Sequence, residues 1–184
     1  MENLELGLIK SFILINQFFQ THNIRYCLIG GVAAGFWGKP RYTQDLDFTV
    51  VSRTGSLDEI IELLKKDKFK IKEKGPSQLQ VTQKDKLIFQ VDIILAETDY
   101  QDWVVQRAKP VDIFEAKVPI CSPEDLIILK LIANRRQDLV DIENILNNKA
   151  VVLDKNYLKH WFSFWELHDR FSNEFGKEFS SRIS

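Results

Sequence analysis

Ile29-Gly30-Gly31, thirteen further residues, then Asp45-Leu46-Asp47-Phe48 is the stretch on which the reading of this 184-residue chain turns. The two glycines close an apolar run, Tyr26-Cys27-Leu28-Ile29, whose length and composition suit a buried strand. Asp45 and Asp47 open a second such run that continues through Thr49, Val50 and Val51. Side chains alternate between the two faces of a strand, so both carboxylates share one face while Leu46 and Phe48 enter the core.

Two carboxylates held side by side disfavour each other's ionisation unless something positive lies between them. A divalent cation answers that need. Mg²⁺ prefers oxygen ligands, keeps several waters, and takes one or two carboxylates together with phosphate oxygens. The same logic asks for a third acid on an adjacent strand, and Asp92 stands inside the apolar run Val91-Asp92-Ile93-Ile94-Leu95, where an acid has no packing purpose. Gly30 and Gly31 let backbone N–H groups approach an anion with no Cβ in the way, and a short helix expected over 31–38 directs its N-terminus to the same place.

This constellation resembles the DNA polymerase β-like nucleotidyltransferase superfamily, with Gly30, Gly31, Asp45, Asp47 and Asp92 at its motif positions. A second stretch narrows the resemblance: Ser122-Pro123-Glu124-Asp125-Leu126, then Lys130, Ala133, Arg135, Arg136, Asp138 and Asp141. It is similar to the helix of the AbiEii-type toxin nucleotidyltransferases and their small relatives, and Arg41 and Thr43 fit the Arg-x-Thr-x-Asp-x-Asp form common there. The resemblance covers roughly Ile24 to Leu146. It implies a metal-dependent nucleotidyltransferase moving an NMP from an NTP to an acceptor hydroxyl, with release of pyrophosphate. Asp45, Asp47 and Asp92 would be the catalytic, metal-binding carboxylates, holding Mg²⁺ or Mn²⁺, with Asp92 also deprotonating the acceptor. Gly30, Gly31, Arg41, Thr43, Lys130, Asp138 and Asp141 would bind the nucleotide. The second glycine departs from the Gly-Ser form frequent in the family, and the chain is shorter than the full toxins.

Size and composition suit one catalytic unit: a core over 1–121 and a helical region over 122–184 packed on it, together a single compact body. A net charge of −1 and a pI near 6.3 argue against a long nucleic-acid track, though not against one RNA end or a nucleotide. Cys27 and Cys121 sit in apolar surroundings without a partner at metal-ligand spacing and read as reduced core residues. No leader or membrane span is recognised, so the expected location is cytoplasmic.

Leu4, Leu8, Ile15 and Phe19 recur at helical spacing and predict an opening helix to about Thr21. Strand 25–30, helix 31–38, strand 45–52 and a helix capped by Ser56 and running to about Lys66 follow. Lys68, Lys70, Lys72 and Lys74 then alternate with Phe69 and Ile71, either as a charge-protected sheet edge or as an attractor of phosphates. Strands 78–83 and 86–95, turned at Lys84-Asp85, a helix over 99–107 and strands within 111–121 complete an α+β pattern. The fold predicted is a nucleotidyltransferase-like mixed sheet with helices mainly on one side and C-terminal helices beyond.

One helix is predicted from Pro123 to about Asn147, with Ser122 at its N-cap. Ile128, Leu131, Ile132, Leu139, Ile142 and Leu146 form its apolar stripe; Lys130, Asn134, Gln137 and Asp141 lie opposite, as a solvated face or, with the resemblance, a cleft lining. Trp161, Trp165 and His168 share helical spacing in an aromatic-rich end that either closes the core or meets a partner, an antitoxin or a second copy. Two further functions stay open: a non-catalytic nucleotide- or partner-binding module of a toxin–antitoxin pair, and an antibiotic-modifying nucleotidyltransferase. The acceptor is an RNA end, a protein or a small molecule.

Overall fold

The computed structural model describes residues 2–83, 89–114, 116–176, 179 and 182. The chain forms two compact units, one of Met1–Gly31 with Tyr42–Cys121 and one of Val32–Arg41 with Ser122–Ser184.

The first unit is built on a seven-stranded mixed sheet. Its strands are β1 (Arg25–Ile29), β2 (Asp45–Val51), β3 (Phe69–Gly75), β4 (Gln78–Gln83), β5 (Gln90–Leu95), β6 (Lys109–Ile113) and β7 (Ala116–Ile120). The spatial order is β3-β4-β5-β2-β1-β7-β6. The pairs β2–β5 and β1–β7 are parallel and the others antiparallel. Period-two alternation is visible in the burial: Leu46, Phe48, Leu79, Val81, Val91 and Ile93 are sealed on one face. Against that face packs α1 (Glu2–Thr21), where Phe12 and Phe19 meet Phe48 edge-on or tilted and Phe18 meets Phe69. The helix α3 (Asp58–Lys66) adds Ile60 and Leu64 beside β3. On the opposite face, Arg25 of β1 reaches Asp102 of α4 (Asp99–Arg107) at 3.0 Å.

Ser56 accepts the Asp58 N–H at 3.1 Å, yet the residue flanking α3 is Leu57, one position later than expected. The turn anticipated at Lys84-Asp85 lies outside the described residues. β3 forms one edge of the sheet, and Lys70, Lys72 and Lys74 are exposed along it.

The short helix α2 (Gly30–Trp37) begins in the first unit and continues into the second. The second unit otherwise consists of α5 (Pro123–Ala133), α6 (Arg136–Asn147), α7 (Lys155–Phe164) and α8 (His168–Phe175). Ser122 caps α5 as predicted, accepting the Asp125 N–H at 3.1 Å. The single helix expected from Pro123 to Asn147 is two. Asn134 turns left-handed (φ 51°) and its N–H closes on Lys130 O, while Arg135 is extended and starts a new helix whose Asp138 accepts the Arg135 N–H. Asn is among the few non-glycine residues that adopt this conformation at low cost, and it ends helices for that reason. The break rotates the stripe: Ile132 is exposed, and Ile127 and Ile145 are buried in its stead.

The aromatic end is corrected likewise. Glu166 has positive φ and ends α7, so Trp161, Trp165 and His168 do not line one continuous helix. Leu158, Phe162, Leu167 and Phe171 supply the buried contacts, and Trp161 and Trp165 are only half-buried. Buried Asp125 accepts the Tyr157 hydroxyl at 2.6 Å and the Ser122 hydroxyl at 2.7 Å, tying α7 to α5. Among the described residues, no helix is long and apolar enough to cross a membrane.

Candidate active site

The parallel register of β2 and β5 sets Asp47 directly beside Asp92, and Asp45 lies two residues along the same face. One oxygen from each of the three carboxylates lies within 4.8 Å of the other two. All three side chains are half-buried, open enough to exchange with a ligand. Asp45 accepts a hydrogen bond from the Thr43 hydroxyl at 3.1 Å, so Thr43 touches one acid of the pair directly. Both amides that face Asp92 are neutral: Gln80 Nε2 lies 3.4 Å from Oδ1, and Gln90 Nε2 lies 3.3 Å from Oδ1 and 3.5 Å from Oδ2.

Gly30 ends β1 against this cluster. Its φ is +68°, and a Cβ built there would land on the Asp47 carboxylate, within 2.7 Å of the aspartate's own Cβ. Only glycine permits both the turn and the approach. Hard oxygen donors from three convergent carboxylates, bonded at Asp45 and Asp92 to neutral partners, fit a divalent cation of the Mg²⁺ or Mn²⁺ type.

Gly31 follows Gly30 in the first unit, whereas Arg41, Lys130, Asp138 and Asp141 belong to the second, where they contact one another. Lys130, Asp138 and Asp141 are all buried, and the ammonium lies 3.0 Å from Asp138 and 2.6 Å from Asp141. Arg41 donates to Asp141 through two bonds of 2.7 and 2.8 Å, Arg135 donates to Asp138 at 2.7 and 3.2 Å, and Gln137 adds a bond to Asp141. The face carrying Lys130 and Asp141 is therefore a buried ion network and not a solvated surface. Burial raises the carboxyl pKa of Asp138 and Asp141, but the bonds and charges of Arg135, Arg41 and Lys130 outweigh it and hold both below the usual carboxylate range.

Gln80 and Gln90 were not legible as site residues. Gln80 stands opposite Asp92 and Gln90 opposite Asp45 in the register, a relation between strands that no single stretch of sequence displays. Their only local trace is the alternation of Gln78, Gln80 and Thr82, and of Gln90 and Asp92, against buried neighbours.

A model of the family described as "Nucleotidyl transferase AbiEii toxin, Type IV TA system" matches residues 17–171, well over half of the chain. The chain belongs to the AbiEii family. Among curated proteins none matches it. Solved structures with similar folds include the following three. An antigenic nucleotidyltransferase-like protein from Paracoccidioides brasiliensis is 21% identical with a TM-score of 0.58, over 92% of this chain and 91% of its own. The lincosamide antibiotic adenylyltransferase LnuA, in a lincomycin-bound structure, is 19% identical with a TM-score of 0.55, over 75% and 96%. ANT(2'')-Ia, in complex with adenylyl-2''-tobramycin, is 12% identical with a TM-score of 0.57, over 93% and 99%. This AbiEii-family chain thus has the nucleotidyltransferase fold, and the acidic triad lies on its central strands.

Proposed function

We propose that this chain is a metal-dependent nucleotidyltransferase that moves an NMP from an NTP to an acceptor hydroxyl, working in the cytoplasm as the toxin of a toxin–antitoxin pair. The observation that carries the reading is the convergence of Asp45, Asp47 and Asp92 within 4.8 Å beside the Gly30 turn. Catalysis is assigned to the segment 1–121. Asp45 and Asp47 would hold the cation, preferably Mg²⁺, and Asp92 would share it and take the proton of the acceptor hydroxyl. When bound, the cation supplies neutralisation of charge on the triphosphate and a lower hydroxyl pKa. The freed oxygen then forms a bond to the α-phosphorus, and pyrophosphate departs with the electrons of the bond that breaks. Gly30 and Gly31 receive the phosphates through backbone N–H groups, and Thr43 keeps Asp45 in place. Arg41, Lys130, Asp138 and Asp141 remain in the reading as nucleotide-binding residues through the family motif.

The test is incorporation of labelled NMP from each of the four NTPs, with Mg²⁺ or Mn²⁺, across a panel of RNA, protein and small-molecule acceptors. Asp47→Ala is expected to abolish incorporation, and incorporation that survives it rejects the reading. LnuA and ANT(2'')-Ia make lincosamides and aminoglycosides worthwhile members of the panel. A second reading, a partner-binding module without turnover, is favoured by one feature: Phe164 is 63% exposed and in ring contact with Trp161 and Trp165. A stoichiometric partner lost on Phe164→Ser, in a chain inert towards every NTP, would support it.

A further inference from the structure

The five polar side chains Asp45, Asp47, Asp92, Gln80 and Gln90 occupy adjoining lattice points on one sheet face. One row reads Asp47, Asp92, Gln80 across β2, β5 and β4; the row beside it reads Asp45, Gln90. Each glutamine is half-buried, and each directs Nε2 at Asp92. Their bonds are unequal between the two oxygens: Oδ1 takes both amides, whereas Oδ2 takes only the longest contact, at 3.5 Å.

From this asymmetry we infer that Gln80 and Gln90 are positioning residues that fix the rotation of the Asp92 carboxylate, engaging Oδ1 and leaving Oδ2 for the shared cation and the acceptor. The inference rests on the proposed function and names groups outside the ligand set. The choice of residue type follows from the charge. A lysine or arginine would orient Asp92 equally well but would cancel a charge that the cation needs, whereas a neutral amide orients the carboxylate and leaves its charge intact. With Nε2 turned to Asp92, each glutamine presents the carboxylate with a donor, and the cation is directed to the side of Asp45 and Asp47. Separations of 3.3 to 3.5 Å are long for such bonds, and they are expected to shorten when the site is loaded, as site hydrogen bonds do on ligand binding.

Mn²⁺ alone is the probe, with the bound fraction read from the electron paramagnetic resonance of the free ion. The double variant Gln80→Leu/Gln90→Leu is expected to weaken Mn²⁺ binding by about 10-fold, the usual scale for groups that orient a ligand. Its thermal unfolding without metal should stay at the wild-type midpoint. In an Asp92→Asn background, the same pair of substitutions should change the affinity less than 2-fold, because the carboxylate they orient is gone. In turnover, kcat should fall while the KM for NTP holds. Gln80→Glu, which replaces the donor by a fourth carboxylate, should not rescue the loss of incorporation.

Mn²⁺ binding that Asp47→Ala abolishes but the double glutamine variant leaves unchanged would overturn the positioning role and spare the metal site. An equal loss in the Asp92→Asn background would overturn it too, since the glutamines would then act on something other than Asp92. A wild-type chain that binds no Mn²⁺ would overturn both this inference and the reading beneath it.

Discussion

Gly30 is the residue on which the site is most exposed to a single change. An alanine there meets two penalties: a left-handed backbone, about 1–2 kcal/mol for an L side chain, and a methyl group placed on the Asp47 carboxylate. The second cannot be relieved without moving a proposed cation ligand. Gly30→Ala is therefore expected to lower incorporation by about 100-fold, the scale of an ångström's misplacement, in a protein that still folds. Activity retained at the wild-type level, with circular dichroism unchanged, would mean that Asp47 does not need its present position. Residues of this kind were legible because their types are odd for their surroundings: acids in apolar strands, paired glycines at a strand end. Gln80 and Gln90 were not, because a glutamine on the polar face of a strand looks the same whether it faces water or a carboxylate.

Elements were legible where local pattern and tertiary fate agree, and β3 is an instance. Its alternating lysines predict a strand, with edge protection and phosphate attraction both open, and the strand stands at the end of the sheet with Lys70 and Lys72 exposed. Replacing both by threonine should leave the fold intact and promote edge-to-edge association, visible as a concentration-dependent shift in gel filtration. A monomer at every concentration would assign the lysines elsewhere. The break between α5 and α6 was hidden because helical periodicity continues across it; only Asn134, followed four residues later by Asp138, marked the end of one helix and the start of another. What holds the two helices is the buried network centred on Lys130. Lys130→Met strands Asp138 and Asp141 with one fewer cation each, and removing one partner from a buried ion pair costs about 3–5 kcal/mol. Urea unfolding followed by circular dichroism measures that loss, and a change below 1 kcal/mol would show that Arg41 and Arg135 suffice on their own.

At the scale of the whole molecule, the succession of strands and helices up to β7 was readable from the chain, while the membership of the second unit was not. Segment 32–41 joins that unit through bonds between residues about a hundred positions apart, Arg41 with Asp141 and Trp37 O with Asn148, and pairings so distant leave no local pattern. The same bonds give the second unit its own response to acid. The pKa values of Asp138 and Asp141 are depressed in the folded state relative to an ordinary aspartate, because the folded chain holds their carboxylates against Lys130, Arg41 and Arg135 strongly enough to outweigh their burial. A depressed native pKa means that the unfolded state binds more protons in this range, so stability rises with pH there. The contribution is complete well above the ordinary aspartate pKa and is lost progressively as the pH falls through that range towards the depressed native values. Trp37, Trp161 and Trp165 belong to the second unit and Trp103 to the first, so tryptophan fluorescence reports mainly on the second. Urea titrations between about pH 6 and about pH 3 are expected to move the fluorescence midpoint down in the wild type. Asp138→Asn/Asp141→Asn should start from a lower midpoint, since it removes the charges of the two buried carboxylates that Lys130, Arg41 and Arg135 bond, and should lose less of it over the same range. A wild-type midpoint independent of pH down to about 3 would mean that the network's carboxylates titrate no differently folded than unfolded, and that the ion pairs contribute nothing to the stability of this unit.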